Sequence, residues 1–140
     1  MSSIPKELRQ QIYAEADNRC EYCRTPARLT GMPLVIDHII PLVAGGSSER
    51  ENLAAACYRC NEFKGARTAA VDPETGEPVA LFQPRQQIWI EHFYWQNGGT
   101  HIVGLTNIGR ATVLALRLNN PDVVAARAIW MRWGWHPPQN

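Results

Sequence analysis

The sequence predicts an α+β fold: an N-terminal helix, a ββα unit stapled by metal, then a hairpin and two further helices. Three observations carry this. Two Cys-x-x-Cys pairs, Cys20/Cys23 and Cys57/Cys60, bracket residues 24–56. A short β-branched run, Leu34-Val35-Ile36, lies between the pairs and ends on Asp37-His38. Apolar residues recur at helical steps before the first pair and again toward the C-terminus.

The elements follow in order. Pro5 to about Asn18 reads as an amphipathic helix, with Ser3 near its start, Pro5 in its first turn and Leu8, Ile12 and Ala16 four residues apart. Cys20-Glu21-Tyr22-Cys23 is a tight knuckle, and the prolines and glycine of Thr25 to Pro33 predict a loop. Leu34 to Ile36 is a short strand delivering Asp37 and His38. Pro41 and Gly45-Gly46 turn the chain, Asn52 to Cys57 forms a second short segment, and Tyr58 to about Ala66 a short helix carrying Asn61 and Lys64. Val71 to Pro78, rich in Pro, Gly and acid, reads as a linker. Gln87 to Trp95 and His101 to Leu105 read as two strands about an Asn97-Gly98-Gly99 turn. Thr106 or Asn107 could cap a helix to Leu118, with Val113, Leu114 and Leu118 facing a core. Asp122 to Trp133 is the last helix.

With 140 residues, 45% of them hydrophobic and 19% charged, the chain is long enough for one compact domain with a real core. It is read as a single domain, with residues 18–67 as the metal-bound core and 81–140 as a hairpin–helix extension. A net charge of +1 does not announce a nucleic-acid binder, but Arg59, Lys64 and Arg67 gather with only Glu62 against them. No apolar run approaches the roughly 20 residues that span a bilayer. The start, MSSIPKELRQQIY, lacks the apolar core of a signal peptide, so a cytosolic protein with no membrane partner is expected.

In a reducing compartment, cysteines in two Cys-x-x-Cys pairs point to metal rather than disulfides or a redox pair. Cys20, Cys23, Cys57 and Cys60 would supply four thiolates to a tetrahedral zinc ion. A closed four-thiolate site leaves no open position, so this zinc is structural. Residues 24–56 form a longer insert than the roughly 15–20 residues of a zinc ribbon, and the Asp-His doublet lies inside it. Little apolar surface lies within the ββα unit, so zinc is expected to supply much of its folding energy.

The run DHIIPLVAGGSSERENLAAACYRCNEFKG, with both cysteine pairs, resembles the HNH endonuclease family, in its four-cysteine zinc branch and with Asn in the last position (an HNN-type ββα-metal, or His-Me finger, motif). The resemblance covers roughly residues 18–67; residues 81–140 are similar to a tail found in some prokaryotic members. It implies a metal-dependent endonuclease that hydrolyses DNA phosphodiester bonds, leaving 5′-phosphate and 3′-hydroxyl ends. Asn52 matches the middle Asn of the motif and is implied to pin the loop between the strands.

Elementary chemistry agrees with that assignment. A neutral imidazole can take a proton from water near pH 7, which makes His38 the general base. A carboxylate and an amide oxygen are hard ligands suited to Mg2+ or Mn2+, so Asp37 and Asn61 are the expected ligands of one catalytic cation. Lys64, Arg59 and Arg67 are read as charges that position DNA phosphates without reading bases. With no separate reader domain evident, sequence specificity is expected to be low, with nicking and double-strand cutting both open. Oligomeric state is likewise open.

Two other readings are compatible with the same residues. One is a non-catalytic zinc-dependent nucleic-acid-binding module; the other is a protein-interaction domain using the tryptophan-rich C-terminal half. His92, His101 and His136 lack ligand spacing and are read as structural or exposed. Trp89, Trp95, Trp130, Trp133 and Trp135 are read as core.

Overall fold

The structure, a computed structural model, describes residues 4–138. It is α+β, and its contacts divide the chain into two compact units: residues 1–68 with 83–87, and residues 69–82 with 88–140. Ser3, expected near the start of the first helix, lies outside the described residues.

The first unit opens with α1 (Lys6–Glu15), entered through Pro5, whose fixed φ suits a helix start. Of its apolar face, Ile12 is buried, while Leu8 and Ala16 are half-buried. The Tyr13 hydroxyl donates to the Leu34 carbonyl at 2.8 Å, tying the helix to the strand that follows. The helix stops short of Asn18 because Asp17 and Asn18 take left-handed φ values of 53° and 52°. The segment expected to be a loop contains a one-turn helix, α2 (Ala27–Thr30), closed by Gly31 at φ 72°.

Strand β1 (Val35–His38) pairs antiparallel with β2 (Leu53–Ala56), placing Asp37 opposite Ala54 and His38 opposite Leu53. Every residue of β2 is buried, and its three alanines let neighbouring backbone approach closely. The chain then passes Cys57 into α3 (Tyr58–Lys64), and Cys57 Sγ accepts from the Cys60 amide at 3.4 Å as the helix cap. β1, β2 and α3 are the expected ββα unit. Residues 83–87 belong to this unit: Arg85 Nε donates to the Leu53 carbonyl at 2.9 Å, and its guanidinium pairs with Glu21.

In the second unit, residues 69–80 form a hairpin rather than a linker: β3 (Ala69–Val71) pairs with β4 (Pro78–Ala80). The polar composition that suggested a linker instead builds the turn. Asp72 Oδ1 accepts from the Glu74 amide at 3.1 Å and Oδ2 from the Thr75 hydroxyl at 2.9 Å, while Gly76 takes φ 77°. Arg110 clamps the same carboxylate through Nε at 2.9 Å and Nη2 at 2.8 Å.

The expected strand at Gln87–Trp95 is split into a helical turn, α4 (Trp89–His92), and β5 (Phe93–Gln96), which pairs with β6 (His101–Gly104). Thr106 caps α5 (Asn107–Ala115) by accepting from the Gly109 amide at 3.0 Å. Asn120 caps α6 (Pro121–Arg132) in the same way through Val123. Phe82, Trp89, Phe93, Ile102, Leu116, Leu118, Val123 and Trp130 are buried in this unit. Of the residues expected to face a core on α5, Leu118 does so just beyond the helix, Val113 is half-buried and Leu114 is exposed.

The tryptophans divide likewise. Trp89 and Trp130 are buried, whereas Trp133 and Trp135 lie past the end of the packed helix, stacked on each other and exposed. His92, His101 and His136 each hydrogen-bond within this unit, to Thr106, Thr100 and the Gly99 carbonyl. No helix among the described residues is long and apolar enough to cross a membrane.

Candidate functional site

The four cysteine sulfurs converge. Cys20, Cys23 and Cys60 are buried, Cys57 is half-buried, all four are free thiols, and their sulfurs lie within 4.8 Å of one another. Cys23 Sγ lies 3.7 Å from Cys57 Sγ. A zinc tetrahedron with Zn–S bonds of about 2.3 Å has edges of about 3.8 Å, so this set fits a zinc ion. The amides of Tyr22 and Cys23 donate to Cys20 Sγ at 3.4 Å, and the Cys60 amide does the same for Cys57, giving each knuckle sulfur-directed donors.

The titration of the cluster points the same way. Burial, then hydrogen bonding to Cys23, pushes the Cys20 thiol up, and hydrogen bonding with its neighbours, Cys20 first, pushes Cys60 up. Hydrogen bonds from Cys20 pull Cys23 and Cys57 down. Thiols that titrate against one another at this separation form one interacting cluster, and metal binding to such a set displaces its protons.

On β1, the Asp37 side chain is buried from solvent. Its carboxylate is held on two sides. The Tyr22 hydroxyl donates to Oδ2 at 2.6 Å. The Lys64 ammonium reaches Oδ1 at 3.2 Å and Oδ2 at 3.1 Å, and also donates to the carbonyls of His38 at 3.4 Å and Ile39 at 3.1 Å. Burial, followed by the charge on Asp37, holds the Tyr22 phenol well above its usual range, so it stays protonated as a donor.

Lys64 therefore departs from its expected place. The sequence suggests a DNA-phosphate contact at the surface, but only 1% of Lys64 is exposed. Its position four residues after Cys60 on α3 turns the side chain inward onto β1, because a buried carboxylate there requires a counter-charge.

His38 follows on the same strand, half-buried, with Nε2 3.1 Å from Ser48 Oγ. Asn52 closes the loop that carries Ser48. Its Oδ1 accepts from the Ile40 amide at 2.8 Å, and its Nδ2 donates to the carbonyls of Ile40 at 2.9 Å and Ser47 at 2.7 Å. Gly46 is required where the loop crosses itself: a Cβ there would overlap the Ile40 carbonyl and crowd Asn52 Nδ2. Asn61 projects from α3, and Asp37, His38 and Asn61 line one open cavity of about 330 Å³, with Pro41, Leu42 and Val43 on its rim. Asp37 and Asn61 bring the hard-oxygen donor types that Mg2+ or Mn2+ takes, and both Asp37 oxygens are at present engaged by Tyr22 and Lys64.

The remaining basic residues lie apart from the cavity wall. Arg67, three residues past α3, is exposed and donates back to the Phe63 carbonyl in its last turn at 2.6 Å. Arg59 is half-buried beside the sulfurs: burial works to lower its guanidinium, and the charge of the four cysteines outweighs that and raises it. Tyr22 and Ser48 are the residues that sequence reasoning missed. An aromatic hydroxyl enclosed by two ligating cysteines, and a hydroxyl in the Gly45-to-Arg50 turn just after the doublet, were the signals available.

Residues 20–67 match the family model described as HNH endonuclease. A CRISPR-associated endonuclease Cas9 of Corynebacterium diphtheriae is 38% identical over 64 residues, which make up 45% of this chain and 6% of that much longer protein. No solved structure matches the chain. Residues 20–67 are thus similar to the HNH endonuclease family, in line with the sequence resemblance.

Proposed function

We propose that this domain is a metal-dependent endonuclease that hydrolyses DNA phosphodiester bonds with low sequence specificity. The observation that carries the reading is the convergence of Asp37, His38 and Asn61 on one open cavity. A base, a carboxylate and an amide oxygen are the groups that phosphodiester hydrolysis asks of a protein.

In this reading His38 takes the proton of the attacking water. Ser48, 3.1 Å from Nε2, fixes the imidazole plane, and Asn52 holds the loop that carries Ser48. Water attacks phosphorus in line as His38 takes its proton, the bond to the 3′ oxygen breaks, that oxygen takes a proton from solvent water, and the products carry a 5′-phosphate and a 3′-hydroxyl. Asp37 and Asn61 would hold a Mg2+ or Mn2+ ion, which when bound supplies charge stabilisation to the phosphate and the leaving oxygen. Arg67 lies off the cavity wall in the exposed segment just past α3 and is assigned to a DNA phosphate, a contact that sets register without reading bases. Cys20, Cys23, Cys57 and Cys60 would hold a structural zinc, and Arg59 offsets its negative charge.

A second reading, a zinc-dependent nucleic-acid-binding module without turnover, draws on one observation: Lys64 already balances the Asp37 carboxylate. Supercoiled plasmid separates the two. A nuclease converts it to nicked or linear product with Mg2+ or Mn2+ and not with EDTA, and the ends re-ligate without phosphatase or kinase treatment. A binding module retards the plasmid and leaves it supercoiled under every condition.

A further inference from the structure

Both groups that hold Asp37 are attached to cysteine knuckles. Tyr22 lies between Cys20 and Cys23, and Lys64 lies on the helix that starts at Cys57 and carries Cys60. The first knuckle is docked on β2 by a two-point bond: the Glu21 amide donates to the Ala55 carbonyl at 2.8 Å, and the Ala55 amide donates to Glu21 Oε2 at 2.8 Å. From there the Tyr22 ring, fully buried, places its hydroxyl 2.6 Å from Asp37 Oδ2 on the neighbouring strand.

We infer that Tyr22 is a positioning residue that couples the zinc knuckle to the catalytic carboxylate, so that the cysteine site sets the orientation of Asp37 and with it the affinity for the catalytic cation. The inference rests on the reading of Asp37 as a ligand of that cation. A core tyrosine needs only some acceptor for its hydroxyl, and a backbone carbonyl would serve. Here the acceptor is the one carboxylate on the cavity wall. The bond also occupies a chosen oxygen, Oδ2, which limits the rotation of the carboxylate about its last torsion. Hydrogen-bond partners of a ligating carboxylate typically contribute about 10–100-fold in metal affinity or activity.

The test compares zinc-loaded wild type, Tyr22→Phe, Asp37→Asn and His38→Ala. Zinc content is measured by plasma emission, Mn2+ binding by electron paramagnetic resonance, and cleavage rate as a function of Mn2+. Tyr22→Phe keeps the buried ring and removes only the hydroxyl. It is expected to retain zinc and the wild-type spectrum, while its Mn2+ midpoint rises by about 10-fold or more in both binding and cleavage.

The arms keep the two ideas separate. If Asp37→Asn binds Mn2+ as wild type does, the reading of Asp37 as a ligand fails and the inference falls with it. If Asp37→Asn loses Mn2+ while Tyr22→Phe matches wild type in zinc content, Mn2+ midpoint and rate, the reading stands and the coupling alone is overturned. One measurement needs no variant and covers a Tyr22→Phe that does not fold. The buried hydroxyl proton of Tyr22 in zinc-loaded wild type is expected to shift in the NMR spectrum on Mg2+ addition, and an unmoved resonance at saturating Mg2+ contradicts the proposal.

Discussion

The Lys64 ammonium lies 3.1 Å from Asp37 Oδ2, with both side chains out of solvent. The pair joins α3 to β1 inside the ββα unit, and Lys64 adds bonds to the His38 and Ile39 carbonyls at the point where the strand ends. Removing one partner of such a pair strands a buried charge. Lys64→Met is therefore expected to destabilise the domain by about 3–5 kcal/mol. Because a divalent cation can supply the missing positive charge, Mg2+ should raise the melting temperature of Lys64→Met more than that of wild type. Thermal denaturation with and without Mg2+ reads both effects. A stability loss no larger than that of an exposed lysine variant would contradict the burial of this pair.

Asn52 touches neither the cavity wall nor the cysteines, yet its amide makes three hydrogen bonds across the loop that carries Ser48. Asn52→Ala leaves the Ile40 amide and the Ser47 carbonyl without that partner, an effect of about 1–3 kcal/mol on stability. It also frees the loop beside His38, and a displacement of about 1 Å near a reacting centre can lower the rate on the order of 100-fold. Cleavage kinetics at matched zinc content check this. A rate loss with unchanged Mn2+ midpoint is expected, the converse of the Tyr22→Phe pattern.

Zinc removal should act on the fold first. The unit that holds the cysteines has a thin apolar core, with Ile12, Tyr22, Leu34, Ile39 and Leu53 as its large buried non-cysteine members beside the small alanines of β2. Structural zinc contributes about 10–16 kcal/mol of binding free energy at pH 7, all of it coupled to folding. Treatment with a strong zinc chelator, or Cys23→Ser, is expected to lose β-strand and helix signal in circular dichroism together with cleavage. Zinc re-addition should restore both in the chelated wild type.

In the second unit, Asp72 is held well below the ordinary carboxylate value of 3.8, first by the Arg110 hydrogen bond and then by the Glu74 amide and Thr75 hydroxyl. A depressed folded-state value means that this contribution is present above the unfolded value of about 3.8 and is lost as pH falls toward the folded one. Asp72→Asn should thus be less stable than wild type at pH 7, and the gap should close as pH drops below about 4. All five tryptophans lie in this unit, so denaturant melts followed by tryptophan fluorescence report on it.

The parts of the structure that short-range chemistry fixes were legible in the sequence. Two Cys-x-x-Cys pairs announced the cluster, the β-branched Leu34-to-Ile36 run announced β1, and Thr106 or Asn107 announced the start of α5. Partners distant in the chain were not legible. A Val71-to-Pro78 stretch of turn formers looks like a linker until Arg110 supplies the charge that makes Asp72 a turn anchor. Lys64 looks like a surface charge because helical spacing does not say which face a carboxylate on another strand will approach. Trp133 and Trp135 continue the apolar character of α6, and only the end of the helix at Arg132 shows them to be exposed.

The central claim is that His38 activates water for phosphodiester cleavage. It is tested most directly by plasmid cleavage with wild type and His38→Ala, in EDTA, Mg2+ and Mn2+, with zinc content and circular dichroism matched. Wild type is expected to nick or linearise the plasmid only with the cation, and a folded, zinc-replete His38→Ala that still binds DNA to lose at least about 100-fold in rate. Equal cleavage by the two proteins would contradict it.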